Sequence, residues 1–336
     1  MHAALTLPFL IALVAMALAF DFLNGLHDSA NSIATVVTTR LLSPVQAVIF
    51  AAVFNFAAYW TFGLKVAETV GKGIINKDAV TPEVIFGALV GAMTWNVITW
   101  WKGIPSSSSH ALIGGLLGAG TAHAGTHVIV WDGVSKTTGA IVLSPVVGLA
   151  ASMALMLITS WLFVRASAAG AETVFKRLHL VSAAAYSLGH GANDAQKTMG
   201  IIAVLLYSQG MLGGTFHVPN WVVLSCYAAM GLGTLSGGWK IIETMGSRIT
   251  RLSQHQGFCA SAGGSIMLFA ASAFGIPVST THTITGCVVG VGAARRASAV
   301  RWSVAYRVVV AWLITIPAAA AVGSAFYFLA TLIGHA

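Results

Sequence analysis

Gly103-Ile104-Pro105-Ser106-Ser107-Ser108-Ser109-His110 lies between two long apolar tracts, and Gly275-Ile276-Pro277-Val278-Ser279-Thr280-Thr281-His282 repeats it later in the chain. Each copy is a helix-breaking Gly-x-Pro followed by a row of hydroxyls and a histidine. The glycines beyond match as well: Gly114, Gly118 and Gly120 against Gly286, Gly290 and Gly292, all at an offset of 172 (275 against 103). Proline is tolerated where a helix starts, since its missing N–H would be unpaired there. Each copy therefore predicts a helix N-terminus whose free N–H groups and Ser/Thr hydroxyls can face an anion. Two ordinary serine-rich loops are the plainer reading, and the aligned duplication argues against it.

The surrounding composition places these tips in a bilayer. Of 336 residues, 57% are hydrophobic and 8% charged, against roughly 25% charged in a soluble domain. With mean hydropathy +0.84 and several apolar runs near the spanning length, the chain reads as an all-α polytopic membrane protein. The net charge of +8 comes from residues between apolar runs, without the basic-aromatic patch of a nucleic-acid binder. Cys226, Cys259 and Cys287 are scattered in apolar tracts and suggest neither a disulfide nor a metal framework. Ala3 to Phe20 lacks a positive n-region and reads as a first membrane helix rather than a cleaved leader.

Two other pairs of segments repeat. Gly25-x-x-Asp28 matches Gly191-x-x-Asp194, and Lys65-Val-Ala-Glu68-Thr69-Val-Gly71 matches Lys240-Ile-Ile-Glu243-Thr244-Met-Gly246. The expected organisation is a first repeat over 1–165, a short basic cytoplasmic connector over 166–179 and a second repeat over 180–336, with about 10–12 membrane segments. The tract 5–39 is too long for an upright helix across a core of about 30 Å, and is expected to tilt steeply or break near Gly25. Residues 65–80 and 123–138 read as polar loops. Basic loops at 165–177, 240–251 and 295–307 are expected inside, while 123–138 is expected outside. The repeats are thus expected to be inverted, with broken helices and re-entrant hairpins at corresponding places and both termini outside. Such inverted, interrupted repeats mark secondary transporters with a midplane site.

An ionisable group within a span is a functional candidate by default. Asp28, with Asn24 and Asn31, and Asp194, with Asn193 and Gln196, offer the carboxylate and amide oxygens that suit Na⁺, Mg²⁺ or a proton; each Asp could instead cap a half-helix. Ser106, Ser107, Ser108, Ser109, Ser279, Thr280 and Thr281 suit an oxyanion. Lys197 either faces that anion or pairs with Asp194. Glu68 and Glu243 read as surface partners of Lys65 and Lys240. His27, His110, His190 and His282 are candidate proton relays or packing residues.

The paired motifs Gly25-Leu-His-Asp28-Ser-Ala-Asn31 and Gly191-Ala-Asn193-Asp194-Ala-Gln196-Lys197, with the two tips, resemble the duplicated signature of the inorganic phosphate transporters (PiT family), of the bacterial low-affinity type. The resemblance runs over nearly the whole chain. It implies phosphate symport driven by a cation gradient in a commonly dimeric inverted-repeat fold of the plasma (inner) membrane, with the tip hydroxyls and Gln196 near phosphate and Asp28 and Asp194 at positions important in the family. Sodium-coupled members often carry acids where this chain has Asn55 and Ser261. Their absence favours H⁺ over Na⁺, with phosphate carried alone or as a complex with Mg²⁺ or another divalent metal. No resident cofactor or metal is implied; the partners are inorganic phosphate and membrane lipid, with a homodimer expected and no nucleic acid. Three alternatives stay open: a symporter of sulfate or another tetrahedral oxyanion, a passive anion channel, and an intramembrane Ser/His hydrolase. Against the last, the Gly-x-Ser-x-Gly elbow is missing.

Overall fold

The computed structural model describes residues 6–334. The chain's two ends, expected on the outer side, lie beyond the described residues. Twelve α-helices account for the described fold, and no strand forms among these residues. The first half runs α1 (Leu7–Thr38), α2 (Pro44–Ala57), α3 (Lys65–Gly73), α4 (Pro82–Lys102), α5 (Ser108–Ala124) and α6 (Trp131–Leu162). The second runs α7 (Ala168–Ser208), α8 (Asn220–Ser236), α9 (Trp239–Glu243), which continues as a π-helical turn (Thr244–Arg248), then α10 (Gln254–Phe274), α11 (Thr280–Arg295) and α12 (Trp302–Gly334). Both halves follow one plan: a long helix, a shorter one, a sharp bend into a stub, a helical hairpin and a long closing helix. The closing helices carry interior prolines, Pro145 and Pro317, at the same offset as the tips.

Five helices are long and apolar enough to cross a membrane, or seven when each bent pair is taken as one span. This is fewer than the expected segments, because α7 carries the polar Asn193–Lys197 group and the hairpin arms α5 and α11 are short. The tips interrupt the chain's helices where expected, and of the two expectations for α1 the break at Gly25 does not occur. α1 is continuous through Gly25, and further interruptions are the 83° bend between α2 and α3 and the 69° bend between α8 and α9. Gly25 serves packing instead: a Cβ there would lie 2.2 Å from the Met230 carbonyl oxygen of α8, so the absent side chain lets two backbones touch. The connector is also mostly helix, since Ser167 caps the first turn of α7. The supposed loop 123–138 already belongs to α6 from Trp131 onward.

Local chemistry explains the helix ends. Ser43 with Gln46, and Ser253 with Gln256, form capping boxes before α2 and α10, each satisfying two otherwise orphaned amide groups. Gly103 and Gly275 end α4 and α10 at φ of 65° and 69°, a left-handed turn that costs glycine little. The hairpin arms restart at Ser108 and Thr280 rather than at the prolines.

The hairpins are exchanged between halves. α4 and α5 pack on α12, while α10 and α11 pack on α6. Gly118 stands where a Cβ would lie 2.1 Å from the Ala320 carbonyl oxygen of α12, and Gly286 where it would lie 2.1 Å from that of Pro145 in α6. The matched glycines therefore permit close helix contact as well as resumption of the helix. α1 and α7 run antiparallel, since Asp21 meets Thr198 while Ser32 meets His190. Two apolar clusters form the core, α1 contributing Phe20 to one and Ile33 to the other; its polar motif lies between them.

Candidate functional site

The two tips meet. The His110 and His282 rings stand edge to face with centroids 4.3 Å apart, and His282 stacks on Trp312 of α12 at 3.7 Å. Trp312 also donates its indole N–H to the Pro105 carbonyl at 3.1 Å, so one side chain braces both tips. Each tip is held from the opposite half in the same way. Lys65 donates to the Ala273 carbonyl and Thr69 to that of Gly275; Lys240 donates to the Trp101 carbonyl and Thr244 to that of Gly103. The duplicated Lys-x-x-Glu-Thr motif is thus a brace for the hairpin turns. The expected Lys–Glu pairs are not formed among the described residues, and Glu243 instead binds Arg248 at 3.0 Å. Once Lys65 and Lys240 reach across to the hairpin turns, they no longer point along their own helices.

The tip hydroxyls, both tip histidines and both carboxylates are buried. Thr280 donates to Asp194 Oδ2 at 2.6 Å, and Thr281 reaches Asp28 Oδ1 at 3.5 Å. Asn31 donates to the Thr281 hydroxyl at 2.9 Å and to that of Thr280 at 3.3 Å. Lys197 donates to the Ser109 hydroxyl at 2.5 Å, to the Val278 carbonyl at 2.6 Å and to Asp194 Oδ1. It therefore joins both tips as well as its carboxylate neighbour, where the sequence left those roles as alternatives. Asp28, His190 and Asp194 bring one ligand atom each within 4.8 Å of one another, an arrangement that could hold a cation. His190 Nε2 lies 3.3 Å from Asp194 Oδ2, within ion-pair reach.

The other histidines differ in setting. His27 sits between Asp28, at 2.7 Å, and Thr99, at 3.0 Å, with the Ser106 hydroxyl 3.4 Å from its Nε2. His110 has no hydrogen-bond partner at either ring nitrogen. No tip serine is therefore bonded to the His110 ring, the pairing a nucleophile and base would need.

Five predicted ligands have other partners in the structure. Ser107 and Ser279 accept from the His110 and His282 amides as N-caps, so the helix starts are capped, and the amides of Ser108, Ser109, Thr280 and Thr281 remain without an acceptor among the described residues. Gln196 accepts from the Val66 and Ala67 amides and donates to the Gly63 carbonyl; it caps α3 and makes no bond to the tips. Asn193 donates to the Ile276 carbonyl and accepts from the Val278 amide, bracing the second tip. Asn24 lies beside Asp21, three residues earlier on the same helix, and its Oδ1 has no hydrogen-bond partner among the described residues. Missed altogether was Asp21 itself, fully buried and bonded by Thr198 at 3.0 Å. Its position in an apolar tract was the available signal. Asn55 was noted only for the acid it replaces; it is buried, donates to Thr234 at 3.0 Å and lies 3.1 Å from His190 Nδ1.

Exchanged hairpins whose tips meet beside buried carboxylates, in a helical membrane protein, fit a transporter that holds its solute within the membrane. Comparison with known proteins identifies which one. The model of the phosphate transporter family matches residues 24–323, and the chain belongs to that family, one of transporters rather than enzymes. It is 63% identical over 333 residues to a probable low-affinity inorganic phosphate transporter of Rhizobium meliloti (strain 1021), covering 99% of this chain and all of the relative. A protein of the same description from Bacillus subtilis (strain 168) is 43% identical over 96% of this chain and 97% of its own length. The solved structure described as the sodium-dependent phosphate transporter superposes with a TM-score of 0.89 at 26% identity, covering 97% of this chain and all of that one.

Proposed function

We propose that the chain imports inorganic phosphate, alone or as a divalent-metal complex, by symport with a cation. Phosphate sits between the tips, held by the free amides of Ser108, Ser109, Thr280 and Thr281, by the hydroxyls of Ser106, Ser108, Ser109, Thr280 and Thr281, and by Lys197. The observation that carries this is the meeting of the two helix starts, with His110 and His282 in contact and Lys197 bonded to both tips. Helix N-termini and buried cations together favour an oxyanion. Asp28 and Asp194, with His190, host the coupling cation. The replacement of family acids by Asn55 and Ser261 favours H⁺ over Na⁺, and His27, placed between Asp28 and Ser106, is the best-sited proton relay. The antiparallel course of α1 and α7 supports inverted repeats, which would expose the site to each side of the plasma (inner) membrane in turn. A homodimer accompanies this proposal on the family resemblance.

Purified protein in liposomes tests it, with separate pH and Na⁺ gradients driving labelled phosphate. Accumulation against a phosphate gradient is expected, and its absence under either gradient would leave a passive channel. Strong competition by excess sulfate would point to a general oxyanion carrier. Asp28→Asn and Asp194→Asn each remove a charged hydrogen-bond partner worth about 1.5–3 kcal/mol, so driven uptake should fall by ~10-fold or more. Full activity in both would refute the cation assignment.

A further inference from the structure

Asp21 differs from the other buried carboxylates in what surrounds it. Asp28 has His27, and Asp194 has Lys197 and His190; no Lys, Arg or His pairs with Asp21 among the described residues. It is fully buried where α1 meets α7 and α8. Thr198 of α7 donates to Oδ1 at 3.0 Å, and Asn24 and the Cys226 thiol of α8 lie beside the carboxylate. Oδ2 has no partner, and neither do Asn24 Oδ1 and the Tyr227 hydroxyl, all buried. The titratable groups near it are Asp194 on α7 and Cys226 and Tyr227 on α8, none of which supplies a positive charge.

A lone carboxylate buried in hydrocarbon and protein costs more than neutral hydrogen bonds return. The charge needs a compensating positive charge, and the unpaired atoms nearby are oxygens, the donors that protons and hard cations use. Asp21 lies two helical turns from Asp28, about 10 Å along α1, so it is separate from the Asp28–His190–Asp194 group. We propose that Asp21, Asn24, Thr198 and Tyr227 form a second cation seat, taking one proton or one sodium ion during the transport cycle. This rests on the symport reading above. Phosphate entering at the tips would then be accompanied by a charge held two turns along α1, outside the phosphate site itself.

The test compares wild type with Asp21→Asn, which keeps the shape and loses the charge, in liposomes under imposed pH and Na⁺ gradients separately. The gradient that drives wild-type accumulation names the ion. Asp21→Asn is expected to lose at least ~10-fold of that gradient's effect on uptake, and Asp21→Glu to recover part of it. Tyr227→Phe, a smaller change that covers the case of an unfolded Asp21→Asn, is expected to shift the cation concentration for half-maximal uptake several-fold. Wild-type cation dependence in Asp21→Asn, or in Tyr227→Phe should the first not fold, overturns the proposal, because a purely structural carboxylate would leave that dependence unmoved. A wild-type protein inert under both gradients would refute the symport reading itself, and this seat with it.

Discussion

Replacing Lys197 with methionine gives the sharpest check on the geometry of the tips. The side chain is buried, and its ammonium group bonds Ser109, the Val278 carbonyl and Asp194. Methionine keeps much of the volume and the flexible stem but removes the charge and all three bonds. Asp194 would retain the Thr280 hydroxyl at 2.6 Å and His190 at 3.3 Å, neither a full substitute for an ammonium. Breaking a buried ion pair from one side costs about 3–5 kcal/mol, roughly two to four orders of magnitude in the folding equilibrium. Stability in detergent, read from thermal or denaturant midpoints, should fall accordingly. Asp194→Asn in the same chain removes the stranded charge, so the double variant should be more stable than Lys197→Met alone, and should lose less than the sum of the two single variants by a coupling of about 0.5–3 kcal/mol. Neither variant should carry phosphate under a gradient. A Lys197→Met protein as stable as wild type, or a double variant no better than the single, would refute the ion pair as the tie between the tips.

Two contrasts test the packing and the braces. A Cβ on Gly133 would lie 1.7 Å from the Gly73 carbonyl oxygen, whereas nothing lies within 4 Å of one on Gly139 in the same helix. Gly133→Ala should therefore lower the yield of folded protein and cost about 1–3 kcal/mol; Gly139→Ala should be neutral or gain up to about 1 kcal/mol, read by the same midpoints. Thr244→Val removes a buried donor to the Gly103 carbonyl and should cost about 0.5–1.5 kcal/mol, while exposed Lys65→Ala and Lys240→Ala should each cost less than about 1 kcal/mol. Equal losses in all three would mean that the hydroxyls are not the stronger braces.

Much of this molecule could be read from its residues in order. Membrane class follows from hydropathy summed along the chain, and the duplication from three pairs of matching motifs spaced 166, 175 and 172 residues apart (Asp28 to Asp194, Lys65 to Lys240, Gly103 to Gly275). The broken tips follow from Gly-x-Pro-hydroxyl chemistry, since backbone torsion and helix-end hydrogen bonding are local properties that residue type sets directly. What Gln196, Asn193, Asn24 and Lys197 each bond could not be read that way. Most of their partners lie on distant segments of the chain, and Asn24 lies beside a neighbouring acid that looked like a flank of the motif. Gly25 shows the same limit: its local signal was a possible break, and only the approach of Met230 from α8 shows that it is a contact point. The sequence alone thus determined that broken, hydroxyl-rich hairpins and buried acids are present. The tertiary structure decided which groups meet, because a hydrogen bond is made over about 3 Å between residues up to 250 positions apart, and no local pattern carries the packing that brings them together.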